Sequence, residues 1–225
     1  MDWTQWEPTY RAILVDFGWH EQDDAAAAAA LHDALGGRSA WRDVGTEIKR
    51  RHVTVVGCGP ALDQLRPHDL HGVVVAADGA VSRLRAIGVL PRVVVTDLDG
   101  NPDDLKWAAD QGASMVVHAH GDNQAKLGLV ADLGSFVAGT YQSTPDPELS
   151  PLRNLGGFTD GDRAVMLCQA YQVRSLHVAA FDATAAPSGH SHDFDPAIKA
   201  RKLAWMGRIL DDAATRLPMT GSWRG

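Results

Sequence analysis

A chain of 225 residues can bury one large core, or one core with a small appendage. Its 45% hydrophobic and 22% charged residues suit a globule in water, and a net charge of −7 argues against broad nucleic-acid binding, though a metal and local amides can still hold a polyphosphate. Two cysteines, Cys58 and Cys168, exclude a disulfide scaffold, and apolar runs of about 4–8 residues fall short of the ~20 needed to cross a bilayer.

In chain order, residues 1–50 read as an N-terminal helical segment. The start, MDWTQWEPTYRAI, is acidic and aromatic, unlike a signal peptide, so the expected location is the cytoplasm, with no membrane contact. Trp3, Trp6, Tyr10, Ile13, Leu14 and Phe17 recur at steps of three and four, giving one apolar helix face, with Pro8 marking a late start. The spacing predicts a second helix through the alanines 25–30, capped by Asp23 or Asp24 and stopped at Gly36-Gly37. The alanines read as helix filler, and residues 38–50 as a connector. The aromatic first helix can cover its own sheet or a partner's, which leaves a homodimer open.

Residues 51–225 read as an α/β catalytic domain with a C-terminal helix. Apolar runs at 52–56, 71–77, 92–96, 114–120, 135–139 and 175–181 lack strict alternation, as strands covered on both faces do. Helical connectors fit at about 79–87, 102–111, 122–131, 161–171 and 196–212. The expected fold is a three-layer, Rossmann-like, mostly parallel sheet whose strand ends share one edge, where ligands bind near the reversal of strand order. Residues 183–195 read as a histidine-containing loop able to fold over that edge.

Six aspartates fall at that edge: Asp78, Asp97, Asp99, Asp122, Asp160 and Asp182. In VVVTDLDGN a strand delivers Asp97 and Asp99 two residues apart, on one side of an extended backbone, and close carboxylates call for a cation. The competing account is an Asx-turn before a helix that starts at Pro102. Asp78, beside Gly79, either reaches ligand or metal or caps a helix. Gly57 and Gly59 with Pro60 permit close approach of a ligand, although VVGCGPAL matches neither GxGxxG nor the P-loop pattern. HAHGDN places His118, His120, Asp122 and Asn123 together without a convincing zinc pattern. The loop GGFTDGDRA, with Gly157, Thr159 and Asp160, feeds a helix start that attracts anionic oxygen; Arg163 in its first turn can hold phosphate, and Asp160 or Asp162 can cap it. Arg153 is a weaker phosphate candidate, and Lys199, Arg201 and Lys202 form a basic cluster. Together these residues point to phosphoryl-type transfer without a covalent enzyme intermediate.

The ordered set GCGPAL (57–62), ADGA (77–80), VTDLDG (95–100), VHAHGDN (117–123), GFTDGDRA (157–164) and AAFD (179–182) resembles the archaeal 6-hydroxymethyl-7,8-dihydropterin pyrophosphokinases of the MptE type, distantly similar to thiamine pyrophosphokinases. The resemblance is good over about 50–182. It implies magnesium-dependent transfer of diphosphate from ATP to the hydroxymethyl group of a reduced pterin, with AMP released. By the same resemblance Asp97, Asp99 and Asp78 hold magnesium, and Asp97, Asp99, Asp122 and Arg163 serve catalysis. Gly57, Gly59, Pro60, Asp78, Gly79, His120, Asn123, Gly157, Thr159, Asp160 and Asp182 serve ligand binding. Thiamine pyrophosphokinase, a nucleotide-sugar glycosyltransferase with a DxD-type metal site, and a nucleotide sensor remain as alternatives.

Overall fold

The computed structural model describes residues 2–184 and 195–223. Three helices come first: α1 (Trp3–Phe17), α2 (Glu21–Leu35) and α3 (Trp41–Ile48). The remainder alternates β1 (His52–Val56), β2 (Val73–Ala77), α4 (Ala80–Ala86), β3 (Val93–Thr96), α5 (Pro102–Asp110), β4 (Ser114–His118), β5 (Val137–Thr140), α6 (Asp160–Ala170), β6 (Ser175–Ala179), α7 (Pro196–Ala214) and β7 (Met219–Gly221). The strands form one parallel sheet in the order β5-β4-β3-β2-β1-β6-β7. Successive strands step outward from β1 to β5, then the chain returns to the other side of β1 for β6. The order therefore reverses between β1 and β6, where a crevice opens beyond the strand ends.

Both faces of the sheet are covered, and the two-residue period of the strands divides the core. Val53 and Val55, Val73 and Val75, Val93 and Val95, with Val116, Leu176 and Val178, pack into one cluster with α1, α3, α6 and α7. Val56, Val74, Ala76, Val94, Met115, Val117 and Val137 face the other way, toward α2, α4 and α5. This is the expected three-layer α/β fold, and it explains why the strands carry apolar side chains on both sides.

Four details depart from expectation. Helix α1 begins at Trp3 and contains Pro8. Pro8 lacks the N–H that would bond the Thr4 carbonyl, but Thr4 and Pro8 are both exposed, so water can satisfy that oxygen. Helix α2 starts at Glu21 with no side-chain cap, and Asp24 is buried inside its first turn. Residues 38–50 are more than a connector: α3 anchors there through Trp41, Val44 and Ile48, all buried. The connector after β4 is a 3-10 helix (Gly121–Leu133), not α-helical, and it packs against α2, where Ala27 and Ala28 are fully buried. The alanines are thus a close-packing surface as well as good helix formers. No described helix is long and apolar enough to cross a membrane.

Candidate active site

Above the β1–β6 reversal lies a cavity of about 500 Å³. Its lining is part acidic, with Asp78, Asp97, Asp99, Asp122 and Asp160, and part aromatic and apolar, with Trp19, Phe158, Phe181 and Met206. Lys199 and Lys202, near the start of α7, complete the rim.

The floor is the Gly57-Cys58-Gly59 turn after β1. Gly57 N–H donates to the Ala179 carbonyl at 2.9 Å and Gly59 N–H to that of Ala180 at 2.7 Å. A β-carbon at Gly59 would sit 2.8 Å from the Ala180 oxygen, so glycine here lets the turn pack directly against the end of β6. Cys58 lines the cavity, but burial, with Asp78 nearby, pushes its thiol up to about 12, which removes it as a thiolate nucleophile.

Asp78, 6% exposed, directly follows β2. Its carboxylate accepts from the Thr96 hydroxyl at 2.9 Å and from the Gly100 N–H at 2.7 Å, so it is fixed from the neighbouring strand rather than used as a helix cap. Asp97 follows β3. Its Oδ1 accepts the Asp99 N–H at 3.1 Å, and its Oδ2 faces His120 Nε2 at 3.4 Å. Between the two aspartates Leu98 takes a left-handed φ of 68°, buried and held by its N–H to Thr96 Oγ1. The backbone is therefore not extended there, and the two side chains diverge: Asp99 turns outward to Lys126 Nζ at 2.5 Å. The carboxylates that converge are Asp78, Asp97 and Asp160, with oxygens within 4.8 Å of one another.

Asp160 arrives as the first residue of α6. Capping of that helix falls to its neighbours: Asp162 Oδ1 accepts the N–H groups of Phe158 (2.6 Å) and Thr159 (2.9 Å), which leaves Asp160 facing the cavity. Burial and mutual repulsion act on the trio unequally. Desolvation, then the Asp97 charge, pushes Asp78 up to about 8, and the same causes raise Asp160 well above the carboxylate range. Burial opposes ionisation of Asp97 too, but the His120 hydrogen bond and charge, the Asp99 N–H and a hydrogen bond with Asp78 outweigh it and hold Asp97 down at about 2. Three crowded carboxylates, of which two resist ionisation, are hard oxygen donors suited to a divalent cation such as magnesium.

The other expected site residues fall in distinct places. Gly79, Pro60, Thr159 and Asp182 line the cavity, and Asp182 Oδ1 also accepts from the Thr184 N–H and hydroxyl at 2.8 Å. His120 and Asp122 line it as well; the Asp122 N–H donates to His120 Nδ1 at 3.3 Å. Asn123 is buried behind them, donating to the carbonyls of Asp97 (2.9 Å) and His118 (2.7 Å). Gly157, at φ 93°, is a packing position where a β-carbon would come within 2.7 Å of Arg163 Cα. Arg163 is 1% exposed and does not line the cavity; its guanidinium donates to the Gly156 carbonyl and to Gln142 Oε1, each at 3.3 Å, while burial lowers it to about 10. Arg153 lies over the Trp41 ring, 4.7 Å from its centroid, and Arg201 pairs with Asp16. Most of the histidine-containing loop falls at 185–194, outside the described residues.

Trp19 and Gln142 carried no sequence signal. Trp19 sits between α1 and α2, off the apolar stripe, yet packs 6.0 Å from Phe158 and 4.5 Å from Phe17, with Lys202 Nζ 5.4 Å over its ring. Its only clue was a tryptophan directly after the Gly18 helix stop.

Comparison with known proteins identifies the family. Residues 36–185 match the family described as "6-hydroxymethylpterin diphosphokinase MptE-like". Three proteins named 6-hydroxymethyl-7,8-dihydropterin pyrophosphokinase are similar over most of the chain. That of Pyrococcus furiosus is 41% identical, covering 81% of this chain and 78% of its own. That of Methanothermobacter thermautotrophicus is 36% identical (93% and 92%), and that of Methanocaldococcus jannaschii 32% identical (81% and 80%). Among solved structures, the MAf glycosyltransferase of Magnetospirillum magneticum AMB-1 aligns at a TM-score of 0.44 with 18% identity, over 81% of this chain and 35% of that one, too loosely to bear on function. The chain belongs to the archaeal MptE-like 6-hydroxymethylpterin diphosphokinase family.

Proposed function

We propose that the protein transfers a diphosphate group from ATP to the hydroxymethyl oxygen of 6-hydroxymethyl-7,8-dihydropterin and releases AMP. Family membership supports the reaction type. The observation that carries the reading is one cavity lined by both the Asp78–Asp97–Asp160 cluster and a set of aromatic side chains. A divalent cation held there would supply positive charge against the donor's phosphates. Asp78, Asp97 and Asp160 would hold it, with Asp78 kept in place by Thr96 and Gly100 and Asp97 by His120.

Trp19 and Phe158 offer flat apolar surface for the pterin ring, and Asp182 at the end of the β6 loop offers a carboxylate to its ring N–H groups. Lys199 and Lys202, which line the cavity from α7, would face the polyphosphate. Asp99 and Asp122 line the cavity outside the converging trio; one of them would take the hydroxymethyl proton as the oxygen attacks the β-phosphorus and the bond to the α-phosphate breaks.

Acceptor-dependent AMP release tests the reading. With ATP and magnesium, the reduced hydroxymethylpterin is expected to drive AMP formation and thiamine is not. Release driven by thiamine alone would replace the proposed acceptor.

A further inference from the structure

Asp24, in α2, is remote in sequence from every cavity motif, and is 5% exposed. Its carboxylate accepts three hydrogen bonds: from the Tyr10 hydroxyl at 2.8 Å, the Gly121 N–H at 2.9 Å and Gln142 Nε2 at 2.9 Å. Two of these lead into the site. Gly121 follows His120, whose Nδ1 accepts the Asp122 N–H; with Nδ1 so engaged, Nε2 carries the proton that faces Asp97. Gln142 lines the cavity. Because its amide nitrogen is held by Asp24, its Oε1 is turned to His118 Nε2 and Arg163 Nη2, each at 3.3 Å. The His118 ring in turn stacks on His120, with centroids 5.7 Å apart and planes 20° apart.

We infer that Asp24 is a positioning residue for the acidic cluster: it sets the polarity of Gln142 and the turn at Gly121, and through them the nitrogen that His120 presents to Asp97. The N-terminal helices then do more than cover the sheet. A simpler role, a buried carboxylate that only adds stability, predicts that loss of any of its hydrogen bonds has the same consequence. The positioning role predicts that they differ, because only two of the three lead to His120.

Asp24→Asn replaces one acceptor atom by a donor. If that donor faces Gln142, the Gln142 amide must turn over and point its own N–H groups at Arg163, a fixed donor, and at His118 Nε2, which can accept only in its Nδ1–H tautomer. The double variant Asp24→Asn/Gln142→Glu restores the match between residues 24 and 142 at unchanged net charge, and turns the Tyr10 hydroxyl, which shares Oδ2 with Gln142, from donor to acceptor. Tyr10→Phe removes a hydrogen bond to the same carboxylate but leaves both routes to the site intact.

Imidazole nitrogen–proton correlation spectra of the metal-free protein, recorded at a pH high enough to leave the ring neutral, read the His120 tautomer directly. This readout is independent of the proposed reaction; the kinetic arm rests on it. Wild type, Tyr10→Phe and the double variant are expected to hold the Nε2–H form, and Asp24→Asn to show a mixture. Gln142→Met, which cuts one route while leaving Asp24 its other two donors, is expected to shift the tautomer if Asp24→Asn does not fold. In turnover, Asp24→Asn is expected to lower kcat by about tenfold or more, with Tyr10→Phe within about twofold of wild type. Absence of pterin-dependent turnover in wild type would count against the proposed reaction and leave the tautomer test standing. An unchanged His120 tautomer in Asp24→Asn, or in Gln142→Met where Asp24→Asn does not fold, would overturn the positioning role.

Discussion

Asp78 is fixed by Thr96 and Gly100 on one side and crowded by Asp97 on the other, so its proton is a direct report on the site. Its folded pKa of about 8 lies above its ordinary 3.8. A carboxyl raised in this way favours the folded state fully below its unfolded pKa and loses that contribution as pH rises through the folded value. Cation-free protein is therefore expected to lose stability between about pH 4 and pH 8 through Asp78, and magnesium to restore most at the upper end. Asp97 acts oppositely and lower: its contribution is present above 3.8 and lost as pH falls toward about 2. Thermal melts across this range, with and without magnesium, check the sign. A magnesium shift no larger at pH 8 than at pH 5 would mean the cation sits elsewhere. Asp97→Asn is expected to lower kcat by about 10²-fold or more while the fold persists, because it removes charge from the cluster without changing shape. Circular dichroism beside the kinetics separates this from unfolding.

At the scale of elements, the site is a meeting of strand ends that single substitutions can separate. Gly59→Ala would drive a methyl group into the Ala180 carbonyl and is expected to destabilise the protein by about 1–3 kcal/mol, measured by denaturant unfolding. Trp19→Ala should raise the KM for the pterin by about three- to tenfold and the KM for ATP by less, since it removes aromatic surface directly and loosens Lys202 only at one remove; an equal rise for both substrates would place ATP against that surface. Strands and their glycine and aspartate ends were legible because a parallel sheet needs apolar runs and sharp turns at fixed places. Helix α3 was not, since it is only eight residues long, although Trp41, Val44 and Ile48 stand at helical spacing. Strand β7 was not, since three residues at a sheet edge carry no period. The divergence of Asp97 and Asp99 was hidden by the left-handed Leu98, which defeats the two-residue alternation rule. Asp160 reads in sequence equally well as a helix cap; the structure shows Asp162 in that task.

For the whole molecule, the arrangement joins two cores and one edge. Helices α1 and α3 share a core with α6 and α7, while α2 lies in the other, so the N-terminal fifty residues are packed against both faces of the sheet. That placement brings Trp19 to the cavity and Asp24 behind it, two contributions that no local motif announces. The central claim is that two phosphorus atoms move together from donor to acceptor. It is tested by incubating the protein with magnesium, 6-hydroxymethyl-7,8-dihydropterin and ATP labelled separately at the α- and γ-phosphorus, then separating the products. The account predicts γ-label wholly in the pterin product and α-label wholly in AMP. Formation of ADP with a singly phosphorylated pterin would contradict it.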